Sequence, residues 1–537
     1  MAISTPNAQQ VPVNIVGSSK FGRHPIISDE RTYNMFISDD WLINFAGYDE
    51  VLSILGVGVE GRGLYHSSRG NFMIAVMGSN LYRINADANG NLSYKFIGSI
   101  TTSTGEVFMD ENLSSQVCLV DGTATAYIYN YSTGINDFSA VDFTGTPTDF
   151  IPNYVTYQNT YFIFGNGKTD SSGSQWFVYK TGYDGSGSPT TAYDLAYVQT
   201  LTIQTKPDFA KAAIRIPSHG NNLLVLGATV GEIWSNIGGL QVYQRNSSIN
   251  IDYGVASVST IAASDDMVVW LGINEKSSPA IMITNGGQAQ RISTDGIDYL
   301  LSIVKKPSRS TAMLYRQDGH VFYVLTFFDE LDNFSITYDF TTQKFFDLTD
   351  WDFTYHPARQ MAFFNNDIYF VSLKQGSIMD MSTDITDMST DSTNTYEIPR
   401  IRKCDTYRLP GSERFIVNQL SFTIENGVEP GVTFTQTCSG YVINEATGAI
   451  IYTEDDLPIF TEDGGCSIYN PRIDVSLSKN GGHTYGNPNS YFMHATGQYK
   501  NQPRFNKLGQ ANQFTIQLRF WGLGSFVVNN AFLEVYQ

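Results

Sequence analysis

The chain has 537 residues, of which 42% are hydrophobic, 13% aromatic and only 16% charged, so it is long enough for two or more domains or one large repeat structure. Its 33 Lys+Arg against 52 Asp+Glu give a formal net charge of −19, which excludes an overall positive field for gathering nucleic-acid phosphates. With 32 Tyr, 34 Phe and 47 Gly the composition suits an all-β protein, because aromatic side chains pack on pleated surfaces and Gly reaches the turn conformations other residues avoid.

Met1 to Gly17 lacks a basic start followed by an apolar core, so no secretory signal is expected. No run reaches the roughly 18 apolar residues of a membrane helix, and no membrane insertion is expected. Arg31 to Ile37 is strand-like. From about residue 60 to 384, short alternating strands separated by Gly, Asn and Asp turns recur every 43–58 residues, near the period of propeller blades. The first unit is the clearest, with Gly63 to His66, Phe72 to Met77, Leu81 to Ile84 and Tyr94 to Ile97 giving four strands.

Six further units follow: Gln116 to Val120 with Ala126 to Asn130, Tyr161 to Phe164 with Gln175 to Tyr179, and Leu223 to Leu226 with Glu232 to Trp234; then Met267 to Leu271 with Ile281 to Thr284, Val321 to Phe327 with Phe334 to Phe340, and Ile368 to Val371 with Ile378-Met379. An open ring would leave strand edges that invite aggregation, so Arg31 to Ile37 is expected to complete the last blade. The polar residues 382–395 read as a linker, and beyond them the longer strands Phe415 to Glu425, Arg472 to Leu477, Phe514 to Phe520 and Phe526 to Val535 suit a β-sandwich. The predicted organisation is an N-terminal extension (1–29), a β-propeller of six to seven blades closed by an N-terminal strand (30–384), a linker (385–396) and a C-terminal β-sandwich (397–537). No long amphipathic helix is predicted.

The chemical motifs favour bland readings. Gly56 to Gly61 matches G-x-G-x-x-G, but a strand-like Arg62 to His66 follows where a dinucleotide site needs a helix N-terminus, so a turn is expected. Asp384, Asp387 and Asp391 lack the alternating ligands, central Gly and closing Glu of a calcium loop. Cys118, Cys404, Cys438 and Cys466 form no C-x-x-C pair and read as buried thiols. The seven histidines form no H-E-x-x-H or H-x-H array, and no G-x-S-x-G elbow appears, so no metal or cofactor site is predicted. Two carboxylates that meet in space would suffice for glycoside hydrolysis, and 52 acids leave that rival open.

Ser478 to Tyr485 resembles the Asp-box of sialidase-type propellers, with Asn480 where Asp is usual and Tyr485 where Trp is usual. Ser478, Asn480, Gly482, Thr484 and Tyr485 are therefore predicted to build a hairpin turn whose polar side chains cap backbone N–H groups, a structural role and not a catalytic one.

The same stretch, followed by Gly497 to Tyr499, Arg504 to Gly509 and a Phe- and Val-rich last strand, also resembles the C-terminal signature of the tail nozzle family of short-tailed phages, also called packaged-DNA stabilisation proteins. Arg31 to Phe36, Phe45 to Tyr48, Gly61 to Tyr65, Val225 to Gly227, Glu232 to Trp234, Tyr253 to Ser257, Val269 to Gly272 and Gln290 to Thr294 are similar to other parts of that family. The chain departs from the pattern in inserted loops at 183–210 and 440–470. The resemblance implies a structural virion protein with no enzyme activity, assembled in the host cytoplasm. It would stand as a homo-hexamer in the tail that continues the DNA channel below the portal and its adaptor ring. The family also implies that it retains packaged DNA without sequence-specific binding and offers surfaces to fibres or spikes. The rivals are a virion glycosidase or depolymerase and a carbohydrate-binding receptor protein.

Overall fold

A computed structural model describes residues 8–21, 29–132, 137–144, 149–182, 194–264, 266–276, 278–385, 387–389, 395–427, 472–492, 500–522 and 525–536. It divides into two compact units. One holds residues 19–25 and 45–398; the other holds 1–18, 26–44 and 399–537.

The first unit is a β-propeller. Among the described residues, seven mostly antiparallel sheets follow one another along the chain, their first antiparallel strands starting at Gly61, Phe108, Pro152, Ala210, Gly254, Ser310 and Ala358, with Asp142–Thr144 pairing in parallel with Asp194–Thr202 in the third. The second strands are apolar along most of their length, and Phe72–Met77 and Gln116–Val120 are buried at every position. That follows from their place: each inner strand is covered on both faces by neighbouring blades, so an alternating pattern would bury polar groups without partners. The core accordingly lies between blades. Phe72, Ile74 and Val76 of the first blade meet Val117 and Leu119 of the second, and Trp176 of the third stands edge-on to Trp234 of the fourth at 5.4 Å between centroids.

Tight turns set the strand spacing. Asn365 (φ 53°) and Asn366 (φ 72°) both sit in the left-handed region, the requirement of the two-residue hairpin whose twist matches the flanking strands. Among the described residues one α-helix interrupts the pattern, Asp295–Ile303, with Thr294 at its N-cap accepting from the Ile297 N–H.

Closure comes from the N-terminal side, through a different strand from the one expected. Gly47–Val57 pairs antiparallel with Gln375–Ser382 and becomes the fourth strand of the seventh blade. Arg31–Tyr33 instead pairs with Arg400–Arg408 in the second unit. The segment read as a linker also carries structure, since Asp387–Ser389 pairs with Thr395–Glu397.

The second unit is also all-β and antiparallel. Ala8–Val13, Ala531–Tyr536, Phe415–Ser421 and Arg504–Ala511 form one sheet. Arg400–Arg408, Gln513–Trp521, Arg472–Ser478 and Asn489–Phe492 form a second, beside Arg31–Tyr33. Met35–Ser38, Trp41–Asn44, Ser525–Val528, Ile424–Gly427 and Lys500–Asn501 form a third. Residues 8–18 and 31–44 are thus woven into this unit, where the sequence suggested an extension and a propeller strand. Its buried centre is Arg402, fully enclosed, which donates to the Ile15 carbonyl (2.7 Å) and Thr32 Oγ1 (3.1 Å) and pairs with Glu30.

The closing pair carries a titratable weakness. Asp380 stands in register opposite Asp49, and its carboxyl is pushed up to about 6 by burial first, then by the charges of Asp367 and Asp49. A carboxyl raised in the fold favours folding at low pH, and that contribution is lost as the pH rises through about 6. Asp380→Asn should therefore stabilise the protein at pH 8 by about 1 kcal/mol, reduced from the full linkage value because the group is half-exposed, and should be near neutral at pH 4. Urea midpoints at the two pH values measure the difference.

Candidate functional site

Two places gather polar side chains with a defined geometry: the propeller axis and the 478–485 turn. Residues of the first, second, third, fifth, sixth and seventh blades, among them Leu64, Phe108, Tyr154, Ala262, Met313 and Met361, line a cavity of about 340 Å³. Glu106 and Gln360 also stand in its lining.

Glu106, just ahead of the second blade, stands at this cavity and binds blades far apart in sequence. Its Oε1 accepts from Gln360 Nε2 at 2.5 Å and its Oε2 from Thr311 Oγ1 at 3.2 Å, with a further bond from Ser259. Gln360 also accepts from the Leu64 N–H (2.9 Å) and donates to the Val107 carbonyl (3.3 Å), so one amide joins the seventh blade to the first and second. Burial raises the Glu106 carboxyl above the usual range, against the pull of the nearby Arg359 guanidinium. Arg359 is itself buried and bonded to Glu60 Oε2 and the Gly61 carbonyl, both at 3.1 Å. Arg62, fully buried, donates to the carbonyls of Gly105 (2.6 Å), Gly78 (2.8 Å) and Thr102 (2.7 Å), and burial lowers it to about 10.

Asp110, four residues on, is used the same way. It accepts from the Tyr157 N–H (2.6 Å) and Thr156 Oγ1 (3.3 Å) of the third blade. Both carboxylates near the axis are thus spent on backbone and side-chain donors of neighbouring blades. This arrangement fixes blades against one another.

The turn is built from its own side chains. Ser478 Oγ accepts from the Gly482 N–H (2.9 Å) and donates to Asn480 Oδ1 (2.7 Å). Asn480 Oδ1 in turn accepts from the Thr484 N–H (3.0 Å), while its Nδ2 donates to Thr484 Oγ1 (2.9 Å). Gly481 (φ 76°) and Gly482 (φ 92°) take the left-handed conformations that let the chain fold back so tightly. The Gly486 N–H closes the loop on the Leu477 carbonyl (3.0 Å). Burial pushes the Tyr485 phenol up to about 12, so it stays neutral beneath the turn.

The remaining candidates fall apart in space or into turns. Gly56 (φ 71°) and Gly58 (φ 89°) lie where one strand ends and the next begins, with no helix after them. Asp384 is exposed and Asp387 lies in a short strand; Asp391 is outside the described residues. No group of three metal-ligating side chains occurs among the described residues. Cys118 and Cys404 are buried free thiols, while Cys438 and Cys466 lie outside the described residues, as do 183–193 and the 440–470 insertion. His320 pairs with Asp339 at 2.9 Å, and burial holds His356 down to about 3. Sequence reasoning passed over Glu106, Gln360, Arg62 and Arg359.

A family model described as "Bacteriophage P22 Gp10, beta-propeller" matches residues 30–386. No curated protein matches the chain. Among solved structures, the AfRom2 CNH domain is similar at 10% identity and a TM-score of 0.37, covering 62% of this chain and 98% of that one. The computationally designed Ika8 protein is similar at 12% identity and a TM-score of 0.36, covering 62% and 99%.

Truncating Gln360 to Ala should leave the Leu64 N–H and one Glu106 oxygen without partners and cost about 1–3 kcal/mol in a urea titration. Because the Glu106 carboxyl is raised, wild type should lose stability relative to Glu106→Gln as the pH climbs above the ordinary carboxylate value. A pH-independent difference between the two would contradict the burial argument.

Proposed function

The chain belongs to the family of the bacteriophage P22 Gp10 β-propeller, a family of structural phage proteins, and we propose on that premise that it is a tail nozzle. In this reading six copies stand below the portal and its adaptor ring, continue the DNA channel, hold the packaged genome and offer their sides to fibres or spikes. The observation that carries it is the family match across residues 30–386, about two thirds of the chain.

Two physical features support the assignment. The axial carboxylates Glu106 and Asp110 are engaged as ties between blades, which suits a part that must stay rigid. In this reading the channel is the space enclosed by several copies. The propeller unit carries 21 Lys+Arg against 36 Asp+Glu. A wall of that sign repels a polyanion and lets it slide, whereas each Lys or Arg contact to a phosphate would add adhesion.

Negative-stain imaging of the protein bound to its adaptor ring should show a sixfold tube. Incubation with host capsule or lipopolysaccharide should release no reducing ends. Reproducible release that disappears on replacing one carboxylate would instead make the protein a glycan-cleaving enzyme.

A further inference from the structure

Four basic side chains gather at one end of the second unit. Arg408 ends its strand opposite Gln513, and the Gln513 amide lies 3.6 Å from where a Cβ on Gly481 would stand, so Arg408 borders the 478–485 turn. Lys479, within that turn, places its Nζ 2.9 Å from the corresponding point on Gly509, two residues beyond Lys507. Arg414 precedes Phe415, which pairs in register with Ala511 on the same strand as Gly509. Beneath them Phe415 and Phe514 meet at 5.2 Å, and Lys479 lies over the Phe514 ring at 5.9 Å.

All four are exposed, and none forms an ion pair with a described residue. In a chain of net charge −19 that is an unusual concentration; residues 472–537 hold six Lys+Arg against two Asp+Glu. Asp405 and Glu413 interleave with them, and both are exposed. A polyanion of uniform sign is disfavoured by such a mixture, while a protein surface can place carboxylates opposite the cations and donors opposite the acids. The propeller, with 36 acids against 21 bases, has the complementary charge.

We infer that this basic end is a docking surface for the acidic propeller of a second copy of the chain. A contact between different surfaces of identical subunits is head-to-tail, and closes into a ring when its rotation divides a full turn. The inference rests on the nozzle reading only in requiring that copies meet. The cationic turn then supplies orientation and rate, since complementary charge steers encounter more than it adds affinity.

The test mixes unlabelled and ¹⁵N-labelled full-length protein, assembles it on the adaptor ring, and applies a carbodiimide, which joins a Lys amine to a carboxyl as an amide with loss of one water. Mixed-isotope peptides should link Lys479 or Lys507 to Asp or Glu within 45–398. They should fall about tenfold when the salt is raised to ~1 M during assembly, where charges are screened beyond about 3 Å. Arg408→Glu with Arg414→Glu, which leaves both reacting lysines in place, should lower their yield about tenfold at unchanged melting temperature. A sixfold tube that yields no mixed links at these lysines would overturn the inference and leave the nozzle reading standing. Mixed links in assemblies that are not tubes would do the reverse. Duplex binding abolished by the same two substitutions would assign the surface to nucleic acid and also overturn it.

Discussion

The antiparallel pairing of Gly47–Val57 with Gln375–Ser382 is the constraint on which the propeller depends. Each blade buries its faces against two neighbours, so a ring with one missing strand would expose apolar surface at the gap and unpaired backbone along an edge. Leu52 and Ile54 show what closure gains: they pack from the closing strand onto the cluster of Leu64, Met73 and Ile378 shared by the first and seventh blades. Glu106, Gln360, Arg359 and Arg62 reinforce the same joint from the axial side. Their bonds satisfy buried polar groups that would otherwise cost about 1–3 kcal/mol each.

The repeat was legible in the sequence because every blade presents the same local problem. A strand covered on both faces must be apolar, as in Phe72–Met77, and the turns around it must supply left-handed residues, as at Asn365 and Asn366. Periodicity reports such local demands well. It does not report which distant partner a strand takes. Arg31 to Ile37 reads as the closing strand, and the exposed Val51, Leu55 and Val57 blur the alternation that would have singled out Gly47–Val57. The pairing is decided by register with Ile378 and by burial, both 320 or more residues away along the chain.

The axial network was illegible for the same reason. Glu106 meets Thr311 and Gln360 across 205 and 254 residues, and nothing near Glu106 in sequence marks it among 52 acids. The turn at Ser478 to Thr484 is the opposite case, since all its bonds span two to four residues and the motif spells them out. The helix Asp295–Ile303 lay between these extremes. Thr294 before Asp295 and Asp298 is a start signal with acids favourably placed in the first turn, but nine residues are too short for a convincing amphipathic period.

Because the strand that completes the ring is made before the blade it completes, synthesis imposes an order on folding. Residue 47 finds its partner only when residue 382 has emerged, 335 residues later. At about 5–20 residues per second that is a wait of roughly 15–70 s on the ribosome. During it the early blades can form, but the edge of the first stays uncovered and the closing strand, with Val51, Leu52, Ile54, Leu55 and Val57, hangs unpaired in a cell filling with identical chains. The most dangerous mistake available is then for one nascent chain to lend this strand to another's seventh blade, an exchange that preserves every native contact and yet locks two subunits together. A short and direct path from Val57 to Gly61, where the first blade begins, opposes that error by keeping the closing strand tethered beside its own ring.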